Sequence, residues 1–439
     1  MKINILPILF ISLCLGFATA KYSNIELVKD LAIGSFRVVS GLIEDLYYKT
    51  PELTDDAYKS PAEFYQSYGY RFEQHKIVTE DGYILSAWRI PGKLTESFKD
   101  ISGKPAVMLQ HGLLDNSGTF TVGFSNQSLP ILLCNEGYDV WITNTRGNFN
   151  SFEHTNPKEY SVFDIHSKYW NFTFDSMGYY DLPSNIDYIL DYTDNKKLTY
   201  IGHSQGTIQF FAGNSIKNIA SKVDSFVGLG PVMYVENQRS PIITLLKVSG
   251  VSTLLKWLDF NNLLIWPTIV NVSLKSIVRP LRKTVFRFIQ MIVGLKKEVS
   301  VDLSRMPVMG RHEPGGTNLQ NMMHWLQMVV TGNFARYNYG KEENLRVYGQ
   351  EDAPFYDLEV LKENIKDLDM FLIRGSIDVF VAQEDFDKLL DVLAFKLGTT
   401  LNYKVVKDYD HLDYIWADSS YEEVALPVLE FLRNKRANQ

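Results

Sequence analysis

The sequence predicts an α/β protein, with a mostly parallel central sheet covered by helices on both faces and interrupted by an inserted helical cap. Three observations predict it. Short, almost continuous apolar runs recur along the chain, as strands buried on both faces require. Helix-like stretches separate them, and this alternation builds parallel sheets. Between about Pro231 and Gly349 the strand rhythm stops, leaving only helix-like runs with broad apolar faces.

The chain opens MKINILPILFISLCLGFATA, in which Lys2 gives a positive start, Ile3 to Phe17 is apolar and Ala18-Thr19-Ala20 suits cleavage. Residues 1–20 therefore read as a signal peptide, too short and wrongly flanked for a membrane span. Secretory entry agrees with glycosylation sequons at Asn126, Asn171 and Asn271. The expected destination is a lumen of the secretory route or the outside, with no transmembrane segment in the processed chain. Cys14 leaves with the signal, so Cys134 is left without an internal disulfide partner, and the core must supply the stability.

At 439 residues, 45% hydrophobic and 22% charged, the chain can bury a large core. A net charge of −7 without basic runs argues against nucleic-acid binding. After an amphipathic stretch at Asn24 to Tyr48, HKIVTEDGYILSAWRI reads as a hairpin turning at Asp81-Gly82. Strands follow at 105–110, 138–143, 197–201, 225–230, 370–375 and 402–406. Cys134 lies in a helix-like run as a small buried hydrophobe. Asp181 is expected to cap the helix that begins with Pro183 in its first turn.

The organisation is thus a first core part at 21–230, a cap at 231–349 and a second core part at 350–439. Residues 241 to 300 hold nine Lys or Arg against Asp259 and Glu298. That balance suits an anionic lipid surface, and it equally suits a helical cap packed on the sheet.

The chemistry centres on TYIGHSQGT at Thr199 to Thr207. A strand ending near Ile201 and a helix starting near Gln205 force a tight, strained turn at Ser204. Close backbone approach there requires Gly202 and Gly206, so the stretch reads as a nucleophile elbow. A serine hydroxyl needs a base, and the base needs an orienting acid. Of eight histidines, His75, His111, His154, His166 and His203 precede Ser204, while His312 and His324 fall in the insertion. His411, after the last strand, is the expected base. Asp378 directly follows the strand MFLIRG and is the expected acid, ahead of Asp385 and Asp387. Ser204 and His411 are both expected at exposed turns. The amides of Gln205 and Leu113 are the expected oxyanion donors. His203 is read as tuning the surroundings of the elbow, His312 as holding a loop and His324 as a packed cap residue. No cofactor or metal fingerprint is present, and His312-Glu313 is followed by Pro-Gly-Gly rather than by a helical zinc motif.

The chain resembles the acid lipases, the group containing gastric and lysosomal acid lipase. The resemblance rests on YGYRFEQHKIVTEDGYILSAWRIP, QHGLLDNS, YDVWITNTRGN, MGYYDLPSNIDYIL, GHSQGT, HEPGGTNLQNMMHW and YDHLDYIWA, in that order. It covers nearly all of the chain after the signal peptide. It implies an α/β-hydrolase core with a helical cap, and it matches Ser204, Asp378 and His411 to the family's nucleophile, acid and base. Leu113 and Gln205 match its oxyanion amides. Two departures stand out. The gastric-type enzymes carry a cap disulfide that this chain cannot form, and residues 236–300 are the least recognisable. The expected activity is serine-dependent hydrolysis of long-chain fatty esters, acylglycerols or sterol esters, at a lipid–water interface without an obligate protein partner. A carboxylesterase acting on shorter esters and a retired lipid-binding protein are the alternatives.

Overall fold

A computed structural model of the chain describes residues 25–47, 55–162, 164, 167–240, 243–244, 262–263, 282–293, 301–396 and 400–437. Its strands are β1 (Glu73–Val78), β2 (Tyr83–Ile90), β3 (Ala106–Gln110), β4 (Asp139–Thr143), β5 (Glu153–His154), β6 (Leu198–His203), β7 (Val223–Leu229), β8 (Asn262–Leu263), β9 (Thr317–Asn318), β10 (Asp369–Gly375) and β11 (Leu401–Val406). The main sheet runs in the order β1-β2-β4-β3-β6-β7-β10-β11, with β5 paired to β2. From β4 to β11 every pairing is parallel, while β1, β2 and β5 form an antiparallel flank. The hairpin turns where expected, with Gly82 at a φ of 92°.

The apolar runs form strands because they are covered twice. Met108, Tyr200, Phe226, Met370 and Leu372 point into one core. Their neighbours Val107, Leu109, Ile201, Val227, Phe371 and Ile373 point into the other. This period-two division places each alternate side chain on the opposite face, and β3, β4 and β6 are buried along their whole length. Cys134 sits in the helix Leu129–Asn135 as a buried free thiol, in keeping with its apolar surroundings.

Between β7 and β10 the described residues are mainly helical, with helices at Arg282–Val293, Met306–His312, Leu319–Thr331, Lys341–Tyr348 and Leu358–Ile365. Met328, Val329, Phe334, Leu361 and Ile365 join the core on one face of the sheet, so this stretch shares the main apolar interior. The helix Arg282–Val293 packs on the N-terminal helix Ile25–Tyr47, where Asp45 accepts from the Thr284 amide and hydroxyl. The apolar runs at 245–261 lie outside the described residues, as do the signal segment and Asn271. Among the described residues, no helix is long and apolar enough to cross a membrane.

One expected cap is corrected. Asp181 has helical backbone angles and makes no capping bond, because helical turns already begin at Phe174. Its carboxylate instead accepts from the Arg146 backbone amide at 2.9 Å and from the Arg146 guanidinium. Arg146 also reaches Asp81 in the hairpin turn and lies 3.8 Å over the Tyr83 ring. A fully buried guanidinium is tolerable here because two carboxylates face it.

Candidate active site

The segments carrying Ser204, Leu113, Asp378 and His411 all leave the sheet at the carboxyl ends of parallel strands, where open α/β sheets place their sites. Ser204 follows β6 with φ 51° and ψ −115°, a conformation disfavoured for a residue with a Cβ. The surrounding structure holds it there. Its amide donates to the Leu229 carbonyl at 3.0 Å. Its carbonyl accepts from the Thr207 hydroxyl at 2.6 Å. The two glycines are there because the backbone leaves no room for anything larger. A Cβ on Gly202 would lie 2.9 Å from the Gly206 carbonyl carbon, and one on Gly206 would lie 2.7 Å from the Gln110 oxygen.

Ser204, His411 and Asp378 come together although they are distant in sequence. The Ser204 hydroxyl lies 2.7 Å from His411 Nε2, and His411 Nδ1 lies 2.9 Å from Asp378 Oδ2. An Nδ1–H donating to the carboxylate leaves the Nε2 lone pair facing the hydroxyl, the tautomer that proton abstraction requires. Asp378 Oδ1 accepts from the amides of Phe380 and Val381, both at 2.9 Å. Burial alone raises the pKa of Asp378, but the nearby His411 charge, the hydrogen bonds from His411 and Tyr414 and the Val381 amide outweigh it. Its carboxyl is thereby held below the usual value. Asp385 is elsewhere, accepting from the backbone amide and side chain of Asn237.

The exposed turns expected for Ser204 and His411 are corrected. They are only 7% and 5% exposed. The loop after β3 runs directly past the serine. A Cβ on Gly112 would sit 3.2 Å from both the Ser204 Cβ and the His203 ring. Gln205 opens the helix Gln205–Asn214. Its side-chain oxygen accepts from Asn321 at 2.9 Å and from the Trp325 indole at 2.8 Å, which ties the turn at Ser204 to the helix Leu319–Thr331. No sequence signal had linked these residues.

His203, His312 and His324 are buried. His203 contacts the His411 carbonyl through Nε2 at 3.0 Å. Burial, and then the His411 charge, push its pKa down to about 4. His324 stacks on Phe174 at 4.0 Å and contacts the Ala335 carbonyl. His312 is buried and its carbonyl accepts from Asn116, consistent with holding a loop. His166 lies outside the described residues. Asn126 and Asn171 are exposed.

Three groups around the triad escaped the sequence reading. Tyr414 donates to Asp378 at 2.7 Å while accepting from the Gly375 amide at 2.6 Å. Asp410 accepts from the His411 amide at 2.7 Å, and burial followed by the Asp378 charge pushes its pKa up to about 8. Glu313 lies against Asp115, in the loop that follows β3. An adjacent aromatic or carboxylate in YDHLDYIWA was visible, but not its partner.

With this geometry established, similarity decides the family. Residues 61–123 match the partial alpha/beta-hydrolase lipase region, and residues 105–261 match the alpha/beta hydrolase fold. The chain is 34% identical over 367 residues to the gastric triacylglycerol lipase of Rattus norvegicus, covering 81% of this chain and 87% of that one. The chain belongs to the lipases of the alpha/beta-hydrolase fold. To the human gastric triacylglycerol lipase it is 33% identical over 394 residues, covering 88% and 92% of the two chains. To lipase lipl-1 of Caenorhabditis elegans it is 31% identical over 383 residues, covering 84% and 90%. Membership of this lipase family makes it a carboxylic ester hydrolase.

Proposed function

We propose that the protein hydrolyses long-chain fatty acid esters, acylglycerols or sterol esters, through an acyl-enzyme on Ser204. The observation that carries this reading is His411 bridging Ser204 Oγ at 2.7 Å and Asp378 at 2.9 Å. As Ser204 Oγ bonds to the ester carbonyl carbon, His411 Nε2 takes the hydroxyl proton. Asp378 holds the imidazole and stabilises the imidazolium. The amides of Gln205 and Leu113 receive the carbonyl oxygen as it becomes an oxyanion. Collapse expels the alcohol, which takes the proton from His411. Water, deprotonated by the same imidazole, then cleaves the acyl-serine and frees the fatty acid.

The near-complete burial of Ser204 supports a gated site, in which covering segments move before an ester enters. Similarity to proteins named gastric triacylglycerol lipase supports reading this chain's substrates as lipid esters. The apolar leader and the exposed Asn126 and Asn171 support a glycosylated protein of the secretory route, released or lysosomal.

Fatty-acid release from triolein and from cholesteryl oleate, by wild type and Ser204→Ala, tests the reading. Release that vanishes in the variant is expected. Activity confined to short soluble esters would replace the lipid substrate, and binding without Ser204-dependent turnover would replace the enzyme.

A further inference from the structure

The segment His312–Gly316 is seated on the loop that follows β3. The Gly315 amide donates to the Leu114 carbonyl, and the Asn116 side chain donates to the His312 carbonyl. A Cβ on Gly315 would meet the Asp115 backbone at 2.5 Å, so the two loops are in direct contact. Asp115 works inside its own loop, where Oδ1 accepts from the Asn116 amide at 2.6 Å and Oδ2 from the Gly112 amide at 3.4 Å. It therefore acts as the acceptor. The Glu313 side chain comes within hydrogen-bond reach of this carboxylate. Glu313 Oε1 is sealed from water and makes no hydrogen bond, although the residue as a whole is half-buried. Two carboxyl groups in dry contact repel unless one keeps a proton.

We propose that Glu313 is a positioning residue: its protonated carboxyl donates a hydrogen bond to the Asp115 carboxylate, and through Asp115 it holds the Gly112–Leu114 loop against Ser204. The proposal rests on the reading in which Leu113 supplies an oxyanion amide. Burial, followed by the Asp115 charge, drives the Glu313 pKa well above the carboxylate range. The groups facing Glu313 are Asp115, the Thr119 hydroxyl and the Gly315 amide. The His111 and His203 rings sense the same Asp115 charge, and both are pushed by burial toward the neutral form. Arg311 and His312 precede Glu313 on its own segment. When the Glu313 proton is lost the pair repels, and the oxyanion loop loses its anchor.

The test measures kcat and KM on p-nitrophenyl butyrate from about pH 4 to about pH 8, for wild type, Glu313→Gln, Glu313→Ala and Ser204→Ala. An amide N–H donates at every pH, so Glu313→Gln is expected to keep wild-type kcat at the acid end. It should also retain that kcat on the alkaline side, where wild type falls. Glu313→Ala should lose about tenfold or more in kcat with KM little changed, since a misplaced oxyanion donor weakens the transition state. A purely structural role would leave the pH profile of Glu313→Gln unaltered. A wild-type alkaline limb in Glu313→Gln, or a wild type with no alkaline fall at all, would overturn the proposal even if Glu313→Ala fails to fold. Turnover surviving in Ser204→Ala would overturn the catalytic reading itself. Loss in Ser204→Ala with Glu313→Gln unchanged would overturn only the positioning role.

Discussion

Tyr414 and Asp378 are joined by a 2.7 Å hydrogen bond in which the phenol donates to the carboxylate that orients His411. The same hydroxyl accepts from the Gly375 amide at 2.6 Å, so one side chain fixes the acid and the end of β10. Tyr414→Phe leaves a buried amide unpaired and Asp378 short of a donor. A stability loss of about 1–3 kcal/mol is expected in urea titration, with a measurable fall in kcat at constant KM. An unchanged kcat would mean that the remaining donors alone position Asp378.

Asp378→Asn should lower kcat by about 10⁴, because an amide does not hold the required imidazole tautomer. Asp385→Asn should leave kcat nearly intact, since Asp385 accepts from Asn237 whereas His411 faces Asp378. Steady-state kinetics on a soluble ester separates the two, and equal losses would leave the acid unassigned.

Backbone strain at Ser204 gives a stability prediction independent of chemistry. Both Ser204→Ala and Ser204→Gly should be inactive, but glycine accepts φ 51° and ψ −115° without a Cβ penalty. The glycine variant should be the more stable by about 1 kcal/mol or more in thermal or urea unfolding. Equal stabilities would show that the elbow is not strained.

Asp410 is predicted to make stability pH-dependent. Its pKa is raised by burial to about 8 from 3.8, so the native state holds a proton that the unfolded chain releases. That contribution is full below about pH 4 and is lost as pH rises toward about 8, by an amount of order a few kcal/mol. Asp410→Asn, which keeps the oxygen facing the His411 amide, should flatten the fall in Tm across that window. The same slope in variant and wild type would assign it elsewhere.

Local pattern made much of this protein legible. The strand, tight turn and helix around Ser204 and the apolar strands depend on near neighbours in the chain, and these elements follow one another as expected. Asp181 misled because a carboxylate before Pro183 has the composition of a cap, whereas its partner Arg146 lies 35 residues away. Tyr414, Asp410 and the Asp115–Glu313 contact were hidden for the same reason. Their roles come from burial and from partners brought near only by the closed fold, so no short stretch of sequence announces them.

The central claim is that Ser204 forms the acyl-enzyme with His411 as its base. Its most direct test is mass spectrometry of tryptic peptides after reaction with a long-chain alkyl p-nitrophenyl phosphonate. One adduct per chain on the peptide containing Ser204 is predicted, absent in Ser204→Ala and formed far more slowly in His411→Ala. Hydrolysis that persists with no adduct on Ser204, or an adduct on a different residue that abolishes activity, would contradict the account.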